Sequence, residues 1–450
     1  MDCLAITIAA LSTITPGLAF GFSSASTLQI YFTVSHSALF ASSVNIGGLI
    51  GGLISAHMLS SFGRRFTLLM SCIPTILGWF WMYMCADAVY RSSFPMSLFI
   101  FGRLLTGVGA GLCLPSSATY ILEISRPKYR GALCALPQVG IVSGVFFSFL
   151  LAVYMVWERI AFIHVIFSSI VLLLVWFLPE SPKWLQKAGY TKEADNANMR
   201  LFGKLNPHVM DAVDLEDNTM ESTSKKYSLM SCICPCLFIP SSQNHRLRIA
   251  LGLMILQQFT GINAILFFAE SICLIGSATT PPACALFIGT VQMIFTMLAV
   301  FAVNYAPRKH LLILSALFMA IAQLAYGITI SNNHPSFKLT QFWISLFMFG
   351  YSFGWGPLPL LITMELFPVN SRGYAVSSAV AVNWLFAFIV TELFELLSYS
   401  VKPSFLFITF SFCCLTAMGY VYKYVPETNG NNTVSRSEGN LSSQKSMLKV

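Results

Sequence analysis

Runs of about twenty apolar residues, separated by short polar breaks, cover most of this chain. A membrane-spanning helix needs roughly 20 mostly apolar residues. Twelve stretches meet that length, near 6–28, 39–59, 67–87, 96–117, 132–153, 159–178, 248–272, 283–304, 310–330, 341–364, 374–394 and 404–424. We number them spans 1 to 12. Six precede and six follow a polar insert, which predicts an all-α membrane protein built as a six-helix bundle over 1–182, a cytoplasmic helical linker over 183–247, a second bundle over 248–424 and a disordered tail over 425–450. The insert holds seven of the 18 acidic residues, so it reads as a solvated connection of short helices.

The polar breaks repeat. Glu123 to Gly131 ends one span and begins the next, and Glu365 to Gly373 does the same 242 positions later, each with a carboxylate seven residues before an Arg-Gly pair. Gly63-Arg64-Arg65 and Pro307-Arg308-Lys309 form a second pair of landmarks, and Pro179-Glu180-Ser181 and Pro426-Glu427-Thr428 a third. Three charged landmarks recurring at the ends of apolar segments describe a duplication, and parallel repeats of this size build one large class of transporters.

Composition agrees with that reading. Hydrophobic residues make up 56% of the chain and charged residues 10%, against about a quarter charged in soluble domains. Of the 26 Lys and Arg, 21 fall in the even-numbered loops and the tail, and only Arg91, Arg159, Lys338 and Lys402 in the opposite loops. By the positive-inside rule both termini are cytoplasmic. The net charge of +8 follows from this bias, with anionic inner-leaflet lipid as its partner, and needs no nucleic acid. The N-terminal apolar run lacks the basic flank of a signal peptide and reads as an uncleaved first span. On that topology Asn431 and Asn440, which match glycosylation acceptors, stay unmodified.

The candidate chemistry lies inside the spans. Gln257, Gln258 and Asn263 fall within about two helical turns of span 7, beside a helix-weakening Gly261. A single amide there would read as interhelical glue, but three together favour a site for a hydroxyl-rich solute, because an amide both donates and accepts. Gln138 in span 5, Gln292 in span 8 and Asn383-Trp384 in span 11 extend the set, the indole offering a face for a sugar ring. In span 10, Gly354-Trp355-Gly356-Pro357-Leu358-Pro359 predicts a broken helix of the kind that gates access. Glu123, Arg130, Glu365 and Arg372 are charged pairs able to latch helix ends in one conformation and part in another. Arg103, in span 4, is expected to face the protein interior or snorkel. The Phe20 to Ala25 run and the glycines Gly47, Gly48, Gly51 and Gly52 read as close helix packing. Cys232, Cys234 and Cys236 lack zinc-site spacing, and two readings fit them, a reduced triplet or reversible acylation near the membrane. No nucleophile and base arrangement, metal cluster or cofactor motif is evident, so an enzyme is not expected.

At these positions the chain resembles the sugar porter family of the major facilitator superfamily. The resemblance rests on Gly63-Arg64-Arg65, Gly102-Arg103 with Gly107, Gly109 and Gly111, Glu123 with Arg130-Gly131, Gln138, Pro179-Glu180-Ser181-Pro182, Gln257-Gln258 with Gly261-Ile262-Asn263, Gly356-Pro357 with Pro359, Glu365 with Arg372-Gly373, Asn383-Trp384 and Pro426-Glu427-Thr428. The Gly21-Phe22-Ser23-Ser24 run looks like the insect facilitated trehalose transporter branch. The resemblance implies a sugar site lined by Gln138, Gln257, Gln258, Asn263, Asn383 and Trp384; Gln292, which stands where the family has an Asn, joins the candidate site as a further amide in span 8. The resemblance places gating at Arg64, Arg65, Glu123, Arg130, Glu180, Glu365 and Arg372, and at Phe267 and Phe268 where the family often has tyrosines. Ser23 stands where proton-coupled members commonly have Asp, which implies facilitated diffusion. Ser60, Ser61, Asn304, Tyr305, Ser352 and Leu360 depart from the family pattern. The expectation is a monomeric plasma-membrane carrier of hexose or trehalose working by alternating access. A non-transporting sugar sensor and a carrier of another polyhydroxylated solute are the alternatives.

Overall fold

The computed structural model describes residues 2–30, 34–86, 96–126, 129–203, 239, 241–331, 336–367 and 369–428. The cysteine triplet at 232–236, most of the linker and the tail with Asn431 and Asn440 lie outside the described residues.

Every regular element among the described residues is helical, and twelve candidate spans are present. Spans 2, 3, 4, 6, 8, 9, 11 and 12 are single helices, at Val34–Ser61, Arg64–Met84, Met96–Ile124, Trp157–Trp176, Pro281–Tyr305, Arg308–Ser331, Val369–Ser400 and Pro403–Tyr424. The other four are interrupted. Span 1 is Asp2–Ser12 followed by Ile14–Gln29, and span 5 is Arg130–Leu133 followed by Leu136–Tyr154. Span 7 runs as Asn244–Phe259, Ile262–Phe267 and Ala269–Ile275, and span 10 as Phe337–Phe353 and Leu358–Leu366. In the linker, helices Pro182–Lys187 and Thr191–Phe202 pack Leu185 against Ala194 and Ala197. Spans 1–6 form one lobe and spans 7–12 the other. An even number of crossings puts residues 2 and 428 on one face, here the terminal face, opposite the far face.

A broken helix in an apolar medium must find partners for the backbone groups it frees, since no water is available to them. At span 7 the break follows from Gly261, whose φ of +80° is costly for any residue with a Cβ. The carbonyl of Thr260 is then taken by the side-chain Nε2 of Gln323 in span 9, 2.7 Å away. At span 10, Pro357 and Pro359 supply no N–H. There Trp355 N–H donates to Ser315 Oγ (3.3 Å) and Gly356 N–H to Tyr351 O (2.8 Å), while Trp355 O accepts from Gln257 Nε2 at 2.6 Å. One of the amides read from the sequence as a solute contact thus also repairs a neighbouring helix.

Within the first lobe, spans 2 and 4 meet backbone to backbone. A Cβ added at Gly107 would lie 2.9 Å from Gly47 Cα, and one at Gly111 would lie 2.7 Å from Gly52 N. Neither neighbour is a side chain that could swing away. On the far face Cys273, at the end of span 7, and Cys284, at the start of span 8, form a disulfide, a pairing that the sequence reading did not contain.

Gly107→Val should therefore abolish recovery of monodisperse protein in detergent, as overpacking at backbone contact costs about 1–3 kcal/mol or more. Gly373→Ala and Gly419→Ala, where nothing lies within 4 Å of an added Cβ, should leave size-exclusion behaviour and melting temperature unchanged. Equal tolerance at all three positions would contradict the packing described.

Candidate functional site

Between the lobes lies a cavity whose open volume, mouth included, is about 920 Å³. Spans 1, 4 and 5 line it from one lobe and spans 7, 8, 10 and 11 from the other. All seven residues named from the sequence as candidate contacts, Gln138, Gln257, Gln258, Asn263, Gln292, Asn383 and Trp384, are on its wall. Phe20, Tyr351, Met254, Ile262 and Leu360 are among the groups between them, and the lining contains no charged side chain. Neutral hydrogen-bonding groups set among aromatic and aliphatic surface suit an uncharged polar solute.

The amides are not equivalent. Gln257 is occupied: its Nε2 holds Trp355 O, and its Oε1 accepts from Asn383 Nδ2 at 2.9 Å. Asn263 Nδ2 donates to Gln258 Oε1 at 2.7 Å. By contrast Gln292 Oε1 and Trp384 Nε1 are buried without a partner among the described residues, one an acceptor and one a donor. Buried polar atoms left in this condition cost free energy unless a solute or water meets them. Ser352, a departure from the family pattern, donates to the backbone carbonyl of Gln292 at 3.3 Å.

The lobes are joined toward the far face. The Phe20 and Phe267 rings lie 5.5 Å apart, and Phe20 and Trp384 5.7 Å apart. The Glu270 N–H donates to Ser24 Oγ at 3.0 Å. Along spans 2 and 11, Ser37 Oγ donates to Glu395 (2.9 Å), Ser42 Oγ to Glu392 (2.6 Å) and Asn45 Nδ2 to Thr391 Oγ1 (3.3 Å). Phe267 is thus at the closure between lobes, whereas Phe268 stacks near Phe394 inside its own lobe, 5.7 Å away.

At the terminal face the charges form one arrangement twice. Arg64 pairs with Glu123 through Nε (3.0 Å) and Nη2 (2.6 Å), and Glu123 also accepts from Ser181 Oγ. Arg308 pairs with Glu365 at 2.9 Å, and Glu365 accepts from Thr428 Oγ1 at 2.5 Å. Glu180 accepts the N–H groups of Arg64 (2.9 Å) and Arg65 (3.1 Å), and Glu427 those of Arg308 (3.0 Å) and Lys309 (3.2 Å). Each of these two carboxylates caps the N-terminus of a span more than a hundred residues away, where the helix dipole favours a negative group. Burial pushes the Glu180 carboxyl above its ordinary value, and the N–H groups of Ser181, Arg65 and Arg64 pull against that. Gly63, at φ +92°, leaves room for the carboxylate, since a Cβ there would lie 2.6 Å from Glu180 Oε2.

Spacing offered Glu123 with Arg130 and Glu365 with Arg372 as pairs that form in one conformation and part in another; in this arrangement, joined toward the far face, Arg64 and Arg308 hold the two carboxylates. Span 4 ends at Ile124 and Arg130 opens the next helix, while Arg64 stands beside the end of span 4. Arg372 Nε instead donates to the carbonyls of Met364 (3.0 Å) and Phe367 (3.2 Å). The pairs Arg64–Glu123 and Arg308–Glu365 each lie within one lobe.

Arg103 faces the interior and is fully buried. Its guanidinium donates to Ala19 O (2.9 Å) and Ser23 Oγ and lies 5.0 Å from the Phe40 ring centroid. Among the described residues no carboxylate is within ion-pair distance of it.

Two six-helix lobes around a central uncharged cavity define a carrier of the major facilitator class. The chain belongs to the sugar (and other) transporter family, whose model matches residues 6–436. It is 30% identical over 411 residues to the facilitated trehalose transporter Tret1 of Apis mellifera ligustica, covering 89% of this chain and 78% of that protein. Identity to the sugar transporter ERD6-like 6 of Arabidopsis thaliana is 28%, over 94% of this chain and 87% of the relative. Identity to the facilitated glucose transporter member 8 of Mus musculus is 27%, over 95% and 92%. Among solved structures, the proton:xylose symporter XylE bound to 6-bromo-6-deoxy-D-glucose superposes with a TM-score of 0.79 at 22% identity, over 96% of this chain and 98% of that one. At that identity it speaks for the fold alone.

A double-mutant cycle on melting temperature should give a coupling of about 1–3 kcal/mol between Arg64 and Glu123 and one near zero between Arg130 and Glu123. The reverse order would restore the pairing drawn from spacing.

Proposed function

We propose that this protein carries a sugar, hexose or trehalose, through the membrane by alternating access, without coupling to protons. The observation that carries the reading is the uncharged inter-lobe cavity with a buried unpartnered acceptor, Gln292 Oε1, and donor, Trp384 Nε1. A sugar hydroxyl both donates and accepts, so one class of solute satisfies both atoms and stacks on the indole. Gln138, Gln258, Asn263 and Asn383 add contacts, and Gln257 holds Asn383 and the broken span 10 in place. The names of the relatives, which include trehalose and glucose transporters, support the substrate class.

The uncoupled mode rests on Arg103, whose partners in span 1 are the carbonyl of Ala19 and the hydroxyl of Ser23 rather than an ionisable group. Both termini are cytoplasmic in this proposal, with the protein in the plasma membrane as a monomer. The Lys and Arg distribution supports that orientation, as does the far-face disulfide, which suits an oxidising compartment. No step of bond making or breaking is assigned, and the protein is read as a carrier rather than an enzyme. Glu123, Arg130, Glu365, Arg372, Arg64, Arg65 and Glu180 act as the terminal-face frame that separates or approaches as the lobes rock.

Reconstituted in proteoliposomes, the protein should equilibrate labelled glucose or trehalose without accumulating it, at a rate unchanged when a proton gradient is imposed. Gln292→Ala should lower uptake about tenfold or more with normal melting, and Asn263→Ala should lower uptake by a similar factor with some loss of melting temperature, as each removes a solute contact of roughly 1.4 kcal/mol and Asn263 also gives up its bond to Gln258. Gln257→Ala should lower both uptake and melting temperature, since it also strips Trp355 O of its donor. Gradient-driven accumulation would sink the uncoupled reading, and wild-type uptake in the Gln292 and Asn263 variants would sink the site.

A further inference from the structure

The glycines of span 2 divide between two neighbours. Gly47 and Gly51 face span 4 in their own lobe, where an added Cβ would lie 2.9 Å from Gly107 Cα and 3.1 Å from Gly111 Cα. Gly48 and Gly52, each one position further on, face span 11 of the other lobe. At Gly52 a Cβ would be 3.4 Å from Ala381 Cα, an ordinary contact. At Gly48 it would meet the indole of Trp384, 2.5 Å from Cε3 and 2.7 Å from Cε2. The added methyl would also meet Cδ2, and since Cδ2 and Cε2 form the fusion bond of the indole rather than a free tip, it displaces the whole ring.

The ring has little room for such a displacement. Trp384 is 2% exposed, and the Phe20 ring stands 5.7 Å from it. It is also part of the cavity wall, so a ring driven off span 2 moves at the expense of the cavity. Interiors packed to this density transmit even one methylene of added volume.

We propose that Gly48 is a positioning residue for the transported solute, acting through Trp384: the absent Cβ lets the indole lie recessed against the opposite lobe, which sets the width of the cavity. This rests on the reading of the cavity as the sugar site. Because the seat is made by one lobe and the ring by the other, it exists only while spans 2 and 11 are apposed at this level. The glycine therefore acts on how the solute is held, while Gly47, one residue earlier, acts on the packing of its own lobe.

The test is a cycle of uptake measurements in proteoliposomes with wild type, Gly48→Ala, Trp384→Phe and the double variant, with Gly47→Ala as the comparison. Gly48→Ala should raise KM about tenfold, the order set by a one-methyl clash, with protein still recovered monodisperse and any fall in melting temperature relieved in the Trp384→Phe background. In the Trp384→Phe background the same change should leave KM within about twofold, because the smaller ring makes space for the methyl. The Gly47→Ala defect should be the same in both backgrounds. An unchanged KM in Gly48→Ala, or an equal rise with Trp and with Phe at 384, would overturn the proposal while leaving the sugar site standing. A wild type that moves no sugar removes the site reading and the proposal together.

Discussion

In a lipid interior, hydrogen-bonding groups have no solvent to fall back on, and this constraint orders the whole molecule. Each helix break, buried amide and buried charge has to be answered by another part of the chain or by something that enters from outside. Most are answered internally: Gln323 takes the carbonyl freed at Gly261, Gln257 takes the one freed at Trp355, and Ser315 serves both sides of the span 10 break. Those bonds fix the wall of the cavity. Among the buried side-chain atoms that have no partner among the described residues, Gln292 Oε1 and Trp384 Nε1 are the ones that lie on that wall. Gln257, whose two amide atoms are both taken, holds the wall, whereas Gln292 Oε1 and Trp384 Nε1 are left open to a solute.

The same constraint explains why the terminal-face charges are arranged twice in the same way. A carboxylate at the end of a span and an arginine at the start of its neighbour would each be unfavourable alone against the helix dipoles. Paired and hydrogen-bonded, they become a rigid joint, and Glu180 and Glu427 lock each joint by capping the helix that its arginine opens. Because each joint lies within a single lobe, it stiffens that lobe without fastening it to the other. A carrier that works by rocking needs that separation, since charge-assisted bonds within a lobe survive the motion intact.

Features set by local chemistry were legible in the sequence: the twelve spans from their apolar length, the breaks from Gly261 and from Gly354 to Pro359, and the cavity amides from the cost of polarity in a span. Features set by which face meets which neighbour were not. The partner of Glu123 is 59 residues back in Arg64, and spacing alone offered Arg130 at seven. Phe20 read as packing, because an aromatic residue in a span carries no mark of whether it meets lipid, core or cavity. Cys273 and Cys284 pair across the turn between spans 7 and 8, a contact fixed by where those helices end. The four glycines of span 2 looked like one close-packing face, yet a one-residue step of about 100° around the helix sends alternate members to different lobes.

The bonds that cross between lobes are of a different kind from the joints within them, and this difference has an energetic consequence. Ser37 to Glu395, Ser42 to Glu392, Asn45 to Thr391 and Ser55 to Ser377 place a hydroxyl in every pair, and each exchanges readily for water when the helices part. A net value of about 1 kcal/mol apiece is typical for neutral partners, and about 1.5–3 where a carboxylate accepts. The three pairs toward the far face hold it closed yet stay within reach of hydration on opening, where Glu392 and Glu395 regain water, and Ser55 with Ser377 lies nearer the terminal face. Two states of a carrier must lie within a few kcal/mol of each other for a solute to move the population in either direction. Salt bridges across the same seam would leave buried charges unpaired on opening, at several kcal/mol each. Hydroxyl-rich seams between lobes and ion pairs inside them are therefore two halves of one solution, in which the strong bonds keep each lobe's shape and the weak ones leave the lobes free to exchange it for the other arrangement.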